Sequence, residues 1–529
     1  MRIITILTYI GLNTFFNLTK ECTAQNIFPA YQKSFGGTGI DKLTYSKLVG
    51  PNKILSVGVT NSSDGDIANQ IGGGDAWLLY TDTFGNIIAS QEIGGSLGDA
   101  AISFDTTIDS GLIIGATSAS NDLGVSGNHG MTDYWITKLD SMGNIQWQKC
   151  FGGSQIEELV AIKQFRDSSF IIVGNTDSND GDVVGQHSCA GCYTDIWVLR
   201  LNWNGNIIWQ KCLGSGFMEF ASPGGLAITN QNELLILGAA VIDGGDVSGS
   251  HGGFDFWILK LDSTGNIVNQ KCFGGSHDES AITVKYNNED EIYLIGSSTI
   301  PDGDVTINHG GSDVWILKID HNFNIIWQNS YGGTADDQGK SGCFSKKNNL
   351  VFLSETYSND GQISSNHGMR DYWFCRLDSS GNISFQSTYG GTLTDFPENI
   401  ENFGDDKYIL TGYSESFDGD LTYNHGGLNC SSFNCVDGWL LVLQNDLIGG
   451  ISNINHSQSI EIYPNPNFGR MTLKNNTYSN KIRIYNFLGV LLNTIFINAF
   501  SEVQLSIANV PGIYFIADEF ENKIKIIVQ

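Results

Sequence analysis

The motif Asp-x-Trp occurs seven times in this chain, at Asp75/Trp77, Asp133/Trp135, Asp195/Trp197, Asp255/Trp257, Asp313/Trp315, Asp371/Trp373 and Asp437/Trp439. A large apolar residue before glycine recurs in step with it, at Phe35, Ile93, Phe151, Leu213, Phe273, Tyr331 and Tyr389, spaced 58, 58, 62, 60, 58 and 58 residues apart. A period of that length, held seven times, implies one supersecondary unit repeated in an array. Each unit reads as four short strands. In the second they are AISFDTTI, GLIIGATS, DYWITKLDSMGN and IQWQKCFGG, bounded by Gly, Asn and Asp turns and without a helical period. Composition agrees, with 64 glycines, 8 prolines and 11 tryptophans, while only 16% charged residues excludes a coiled coil and 41% apolar residues excludes disorder.

Seven units of four strands predict an all-β fold, a seven-bladed β-propeller over residues 25–448. The Gly-Asn pairs (143–144, 205–206, 265–266, 381–382) suit hairpins that need positive φ. A lone outer-strand copy, AYQKSFGG (30–37), precedes the first unit, and the seventh unit ends at GWLLVLQND (438–446) without one. Residues 30–37 should therefore complete the last blade and leave the ring without a free edge.

The two ends read as addresses. Arg2, an apolar run over 3–18 and Ala24 before Gln25 form a signal-peptide pattern, with residues 1–24 removed by cleavage between Ala24 and Gln25. No other segment could span a bilayer as a helix, so no integral membrane segment is expected in the mature protein. Residues 449–458 read as a linker, and 459–529 as short strands of a small C-terminal β-sandwich. The pieces Tyr463-Pro464-Asn465-Pro466, Ile484-Tyr485-Asn486 to Gly489, Pro511-Gly512-Ile513-Tyr514 and Lys523-Ile524-Lys525 resemble the type A C-terminal sorting domain of the Bacteroidetes type IX secretion system. The resemblance implies recognition by that secretion machinery, removal of the domain, and release or attachment at the cell surface. The repeat itself is similar to the bacterial SBBP-type β-propeller repeat, a family defined by fold and not by activity.

The net charge of −28 lies almost entirely between residues 25 and 458 and excludes nucleic acid as a partner. The loop before Asp-x-Trp carries a histidine in six units (His129, His187, His251, His309, His367, His425) and Ile71 in the other. One histidine per blade makes a ring and not a metal cluster, which points to a role in each blade. The Asp-Gly-Asp pairs Asp64/Asp66, Asp180/Asp182, Asp302/Asp304 and Asp418/Asp420 are weak calcium candidates, because their spacing is not that of an EF-hand. These loops should share one face with the loops after the outer strands, and that face should be strongly acidic. A specific ligand site should use residues that break the symmetry: Glu157, Glu158, Glu219 in the Phe217–Phe220 stretch, His277 and Arg370.

Cys189/Cys192 and Cys430/Cys435 sit in insertions of units three and seven and suit local disulfides in an exported protein. Cys150, Cys212 and Cys272 share one outer-strand position and read as packing residues, while Cys343 and Cys375 share a blade and could pair. No nucleophile elbow, phosphate loop or zinc-protease motif is present, so no catalytic residue is assigned. Three functions fit: a surface module that binds a glycan or surface protein, a carbohydrate-active hydrolase or lyase, and a structural surface protein.

Overall fold

The computed structural model describes residues 27–445, except 68–69, 189–190, 192, 422 and 426–435, together with seven strands between Ile460 and Val528. The expected signal-peptide cut at Ala24/Gln25, Cys189, Cys192, Cys430, Cys435 and the linker 449–458 lie outside the described residues. The chain divides into two compact units at Asp446/Leu447.

The first unit is built from seven antiparallel sheets of four strands, within 41–93, 99–151, 157–213, 219–273, 280–331, 337–389 and finally 395–445, those of blades four and five being joined into one eight-stranded sheet by a single parallel pairing. In the last blade the fourth strand is Ile27–Phe35, which pairs antiparallel with Asp437–Asn445, from Ile27↔Asn445 to Phe35↔Gly438. The ring closes as its phase predicts.

Each Asp-x-Trp segment is the third strand of its blade and is mostly buried, Asp195–Leu201 throughout. The seven tryptophans are among the largest fully buried side chains and pack between neighbouring blades. Their indole N–H groups find acceptors on the outer strand: Gln148 for Trp135 (2.5 Å), Gln210 for Trp197 (2.7 Å) and Gln386 for Trp373 (2.8 Å). In the closing blade the acceptor of Trp439 is Gln32 (3.1 Å), and in the first it is Ser90 (2.9 Å). The hairpins from third to outer strand are Asx turns. Asp140 accepts from the N–H groups of Met142 and Asn144 while Gly143 takes φ 87°, a conformation that suits glycine.

Cys150, Cys212 and Cys272 are buried and free, as packing residues should be. The possible Cys343–Cys375 pairing is corrected: both are buried free thiols, one on the innermost strand and one on the third, with the strand Leu350–Thr356 between them. Blade four departs from the pattern, because Pro223-Gly224-Gly225 bulges its innermost strand. There Gly224 meets Thr283 of blade five, and a Cβ at 224 would lie 1.9 Å from the Thr283 Oγ1.

The second unit contains two antiparallel sheets. One comprises Ile460–Tyr463, Arg470–Asn475 and Ser501–Ser506; the other comprises Leu491–Phe496, Lys481–Asn486, Gly512–Ala517 and Lys523–Val528.

Candidate functional site

The residues that recur in every blade are occupied in holding the blades together. His129 donates its backbone N–H to Asp133 Oδ2 (3.0 Å), and its Nδ1 lies 2.6 Å from the same oxygen. The other five histidines repeat this arrangement with the aspartate of their own Asp-x-Trp. The far ring nitrogen points to the next blade, with His187 Nε2 3.6 Å from Asp246 and His425 Nε2 3.7 Å from Asp66 across the ring closure. Where the first unit has Ile71, the facing position in the second is Gly124. Blade five, by contrast, keeps His309 although the second-aspartate position of blade six is Gln362, which accepts from the Gly332 N–H.

The Asp-Gly-Asp carboxylates also clamp neighbouring backbone. Asp64 accepts from the Thr38 N–H (2.7 Å), Asp180 from Ser154, Asp302 from Ser276 and Asp418 from Thr392. The second aspartates, Asp66, Asp182, Asp304 and Asp420, face the backbone N–H groups of Gly36, Gly152, Gly274 and Gly390. These bonds place the Asp/His loops and the loops after the outer strands on one face. Among the described residues no three His, Cys, Asp or Glu side chains converge as a metal site would require.

Beneath this face each junction buries two carboxylates. One belongs to Asp-x-Trp and the other begins the innermost strand of the following blade: Asp437/Asp41, Asp75/Asp99, Asp133/Glu157, Asp195/Glu219, Asp255/Glu279, Asp313/Asp337 and Asp371/Asp395. The glycine between them leaves no room for a side chain, since a Cβ at Gly152 would stand 2.4 Å from Glu157 and 2.6 Å from Asp133. Desolvation, with like charge adding, raises the Glu279 carboxyl to about 8 and that of Asp395 to about 7. Desolvation also lifts Asp255 to about 6.

This arrangement corrects the premise on which Glu157 and Glu219 were singled out. Neither breaks the symmetry, because each fills the recurrent junction position and is fully buried. Glu157 accepts from the Gly153 N–H and the Thr176 hydroxyl, and Glu219 accepts twice from Ser215. Glu158 is exposed on the same innermost strand, and His277 is exposed beside Ser276, 3.9 Å from Asp302.

Arg370 lines a cleft. On the same face, over blades four to six, a hollow of about 590 Å³ is bounded by Phe220, Pro223, Phe254, Asp278, Asp336 and Gln338. A second of about 410 Å³ shares Asp336 and Gln338 and extends it to Tyr357 and Arg370. At one end the rings of Phe220 and Phe254 stand 6.0 Å apart. At the other, five side chains form a continuous stack: Tyr357, Arg370, Phe396, Tyr413 and Lys42. Arg370 lies 4.9 Å from the Tyr357 centroid and 4.8 Å from that of Phe396; Phe396 stacks on Tyr413 at 4.6 Å, and Lys42 covers Tyr413 at 4.6 Å. Arg370 and Lys340 both pair with the buried Glu355, at 3.1 and 3.2 Å. Nearby, desolvation and the Glu355 charge raise Glu398 to about 7, against the pull of Lys340 and Lys42.

Asp278 and Asp336 occupy matching positions just before the junction carboxylate, where the other units carry Ile40, Gly98, Ile156, Met218 and Thr394. Asp278 accepts from the Phe254 N–H (2.9 Å) and Asp336 from that of Ser312 (2.9 Å). Both carboxylates are otherwise exposed at the cleft floor. Sequence reasoning passed over them. Comparing this one column across the seven units is the signal that finds them.

Fold and site together define a β-propeller with an asymmetric cleft over blades four to six. Residues 461–529 match the family described as the secretion system C-terminal sorting domain. The protein is thus an exported β-propeller, secreted or held at the cell surface, whose tail addresses it to the secretion machinery. No curated protein matches the chain. Among solved structures, the β-propeller domain of Cps50 (Swd1) from Myceliophteria thermophila is 8% identical, covering 72% of this chain and 96% of its own with a TM-score of 0.41. The Pan2 WD40 domain of Neurospora crassa is also 8% identical, covering 79% and 95% with a TM-score of 0.41. A protein of unknown function from Dyadobacter fermentans is 12% identical, covering 65% and 94% with a TM-score of 0.39. The assignment of seven blades rests on the seven sheets and the closing strand described above.

Proposed function

We propose that the propeller is a binding module that holds a glycan in the cleft over blades four to six. The observation carrying this reading is the non-repeated set of Phe220, Phe254 and Tyr357 with Asp278 and Asp336 between them. Aromatic faces pack against the C–H surface of a sugar, and carboxylates accept from its hydroxyls. The acidic floor favours neutral sugars over sulfated or uronic ones.

The test is binding of the full chain to a glycan array, with product analysis on each hit. Asp278→Asn and Asp336→Asn keep an oxygen for the Phe254 and Ser312 N–H groups while removing the charge. Each should weaken binding about tenfold, the loss of one charge-assisted hydrogen bond, with melting unchanged. Binding untouched by both substitutions and by Tyr357→Ala would sink the assignment. Silence across the array would turn attention to a surface-protein ligand or a structural role.

A hydrolase or lyase is favoured by one observation, the Glu398 carboxyl raised to about 7 beside the ion-paired Glu355. Cleavage products from any retained glycan, abolished by Glu398→Gln, would establish it.

A further inference from the structure

The innermost strands carry a second asymmetric feature, on the axis of the ring and apart from the cleft. At one level, three residues below the strand-two glycine position, the seven blades present Lys47, Asp105, Lys163, Ala227, Lys285, Cys343 and Glu401 in register. Three lysines against two carboxylates make this level net positive, inside a protein of net charge −28.

The charges are not evenly satisfied. Lys47 pairs with Asp105 at 2.8 Å. Asp105 also accepts from the Gln164 N–H (3.1 Å), and Glu401 accepts from the Tyr45 hydroxyl (3.0 Å). Among the described residues no carboxylate lies within 4.0 Å of the ammonium of Lys163 or Lys285. Between these two lysines blade four contributes Ala227, whose side chain ends at Cβ, and beyond Lys285 the Cys343 thiol is buried. The residue that blade four places at this level is therefore uncharged. Desolvation, with the charge of Lys285 adding to it, depresses the Lys163 ammonium despite the opposing pull of Asp105 and Glu401. Two partly buried cations on either side of Ala227, with the carboxylates of this level already engaged, form a site that is completed by negative charge.

We propose that the central channel binds a small multivalent oxyanion between Lys163 and Lys285, on the blade-four side of the axis. A tetrahedral oxyanion offers several acceptor oxygens to two ammonium groups that share no carboxylate, and the low dielectric of the channel strengthens each bond. Lys47 contributes charge but is already paired, so it plays the lesser part.

The experiment is calorimetric titration of the full chain with inorganic phosphate and, separately, with sulfate, at constant ionic strength set by sodium chloride. Saturable binding at one site per chain is expected. Lys163→Gln and Lys285→Gln should each weaken it about tenfold or more, the effect of losing one charge-assisted hydrogen bond, whereas Lys346→Gln, at an exposed surface lysine, should leave it unchanged. A measurement that needs no variant runs beside it: phosphate should slow acetylation of Lys163 and Lys285 relative to Lys346, read by peptide mass spectrometry. No saturable heat with either anion, equal weakening by Lys346→Gln, or acetylation indifferent to phosphate would each overturn the proposal.

Discussion

A buried indole N–H without an acceptor is costly, and six of the seven blades meet that need with glutamine on the outer strand. Gln148→Leu leaves Trp135 without its acceptor and is expected to lower stability by about 1–3 kcal/mol, seen as a lower denaturant midpoint. An unchanged midpoint would mean that water replaces the glutamine. The Asp-Gly-Asp carboxylates already accept from backbone N–H groups, so a chelator is expected to leave the melting midpoint where it was. A fall of several degrees would show calcium in those loops. At this scale the sequence was readable wherever a residue recurs and misleading where it does not. Glu157 and Glu219 look unusual because four of the seven units use the shorter aspartate, yet with Glu279 they stand at a shared position. Asp278 and Asp336 look ordinary in a chain of 56 acids, and only their column shows them to be exceptional.

The strand that matters most to the ring is the first. Phe35 is fully buried and packs with Leu43, Trp77 and Leu440, at the seam where the two ends of the propeller meet. Phe35→Ala should cost about 3–5 kcal/mol, the usual penalty for emptying an aromatic site in a core. Ile87→Ala, at an exposed position on the outer strand of the first blade, should cost far less. Equal losses in urea melts would show that closure is not where stability is concentrated. This element was legible because a repeat out of phase with itself can close only one way. The bulge in blade four was not, since Pro223-Gly224-Gly225 inside a strand reads as a turn, and only the approach of Thr283 explains why glycine is needed there. The cleft depends on that bulge, because Pro223 forms part of its wall.

Over the whole molecule, raised carboxyls at six of the seven blade junctions make folding near neutral pH a proton-uptake reaction. Glu279, Asp395, Asp255 and Glu398 hold protons more tightly when folded than the ordinary carboxylate does. Desolvation opposes the charged form of His129, but Asp133 and Asp182 outweigh it, and Asp437 raises His425; both shifts have the same sign. A raised folded value gives stability that is complete below the unfolded value and is lost as pH rises through the folded one. The melting temperature is therefore expected to climb as pH falls from about 8.5 to about 5, with the loss on the alkaline side centred between about 6 and 8. Surface aspartates such as Asp262, held near about 2 by hydrogen bonds from Thr264 and Asn266, bring stability down again only in stronger acid. A melting temperature flat over pH 5–8.5 would contradict the buried pairs.

The pairing of Ile27 with Asn445 has a consequence for how such a molecule meets its surroundings. Both residues lie at the end of blade seven where third strands turn into outer strands, whereas the cleft opens at the end where outer strands lead into the next blade. The first and last described residues of the propeller are thus neighbours, at the end of the ring away from the cleft. Opening that single seam would release both ends of the ring at once, while the cleft over blades four to six lies at the opposite end.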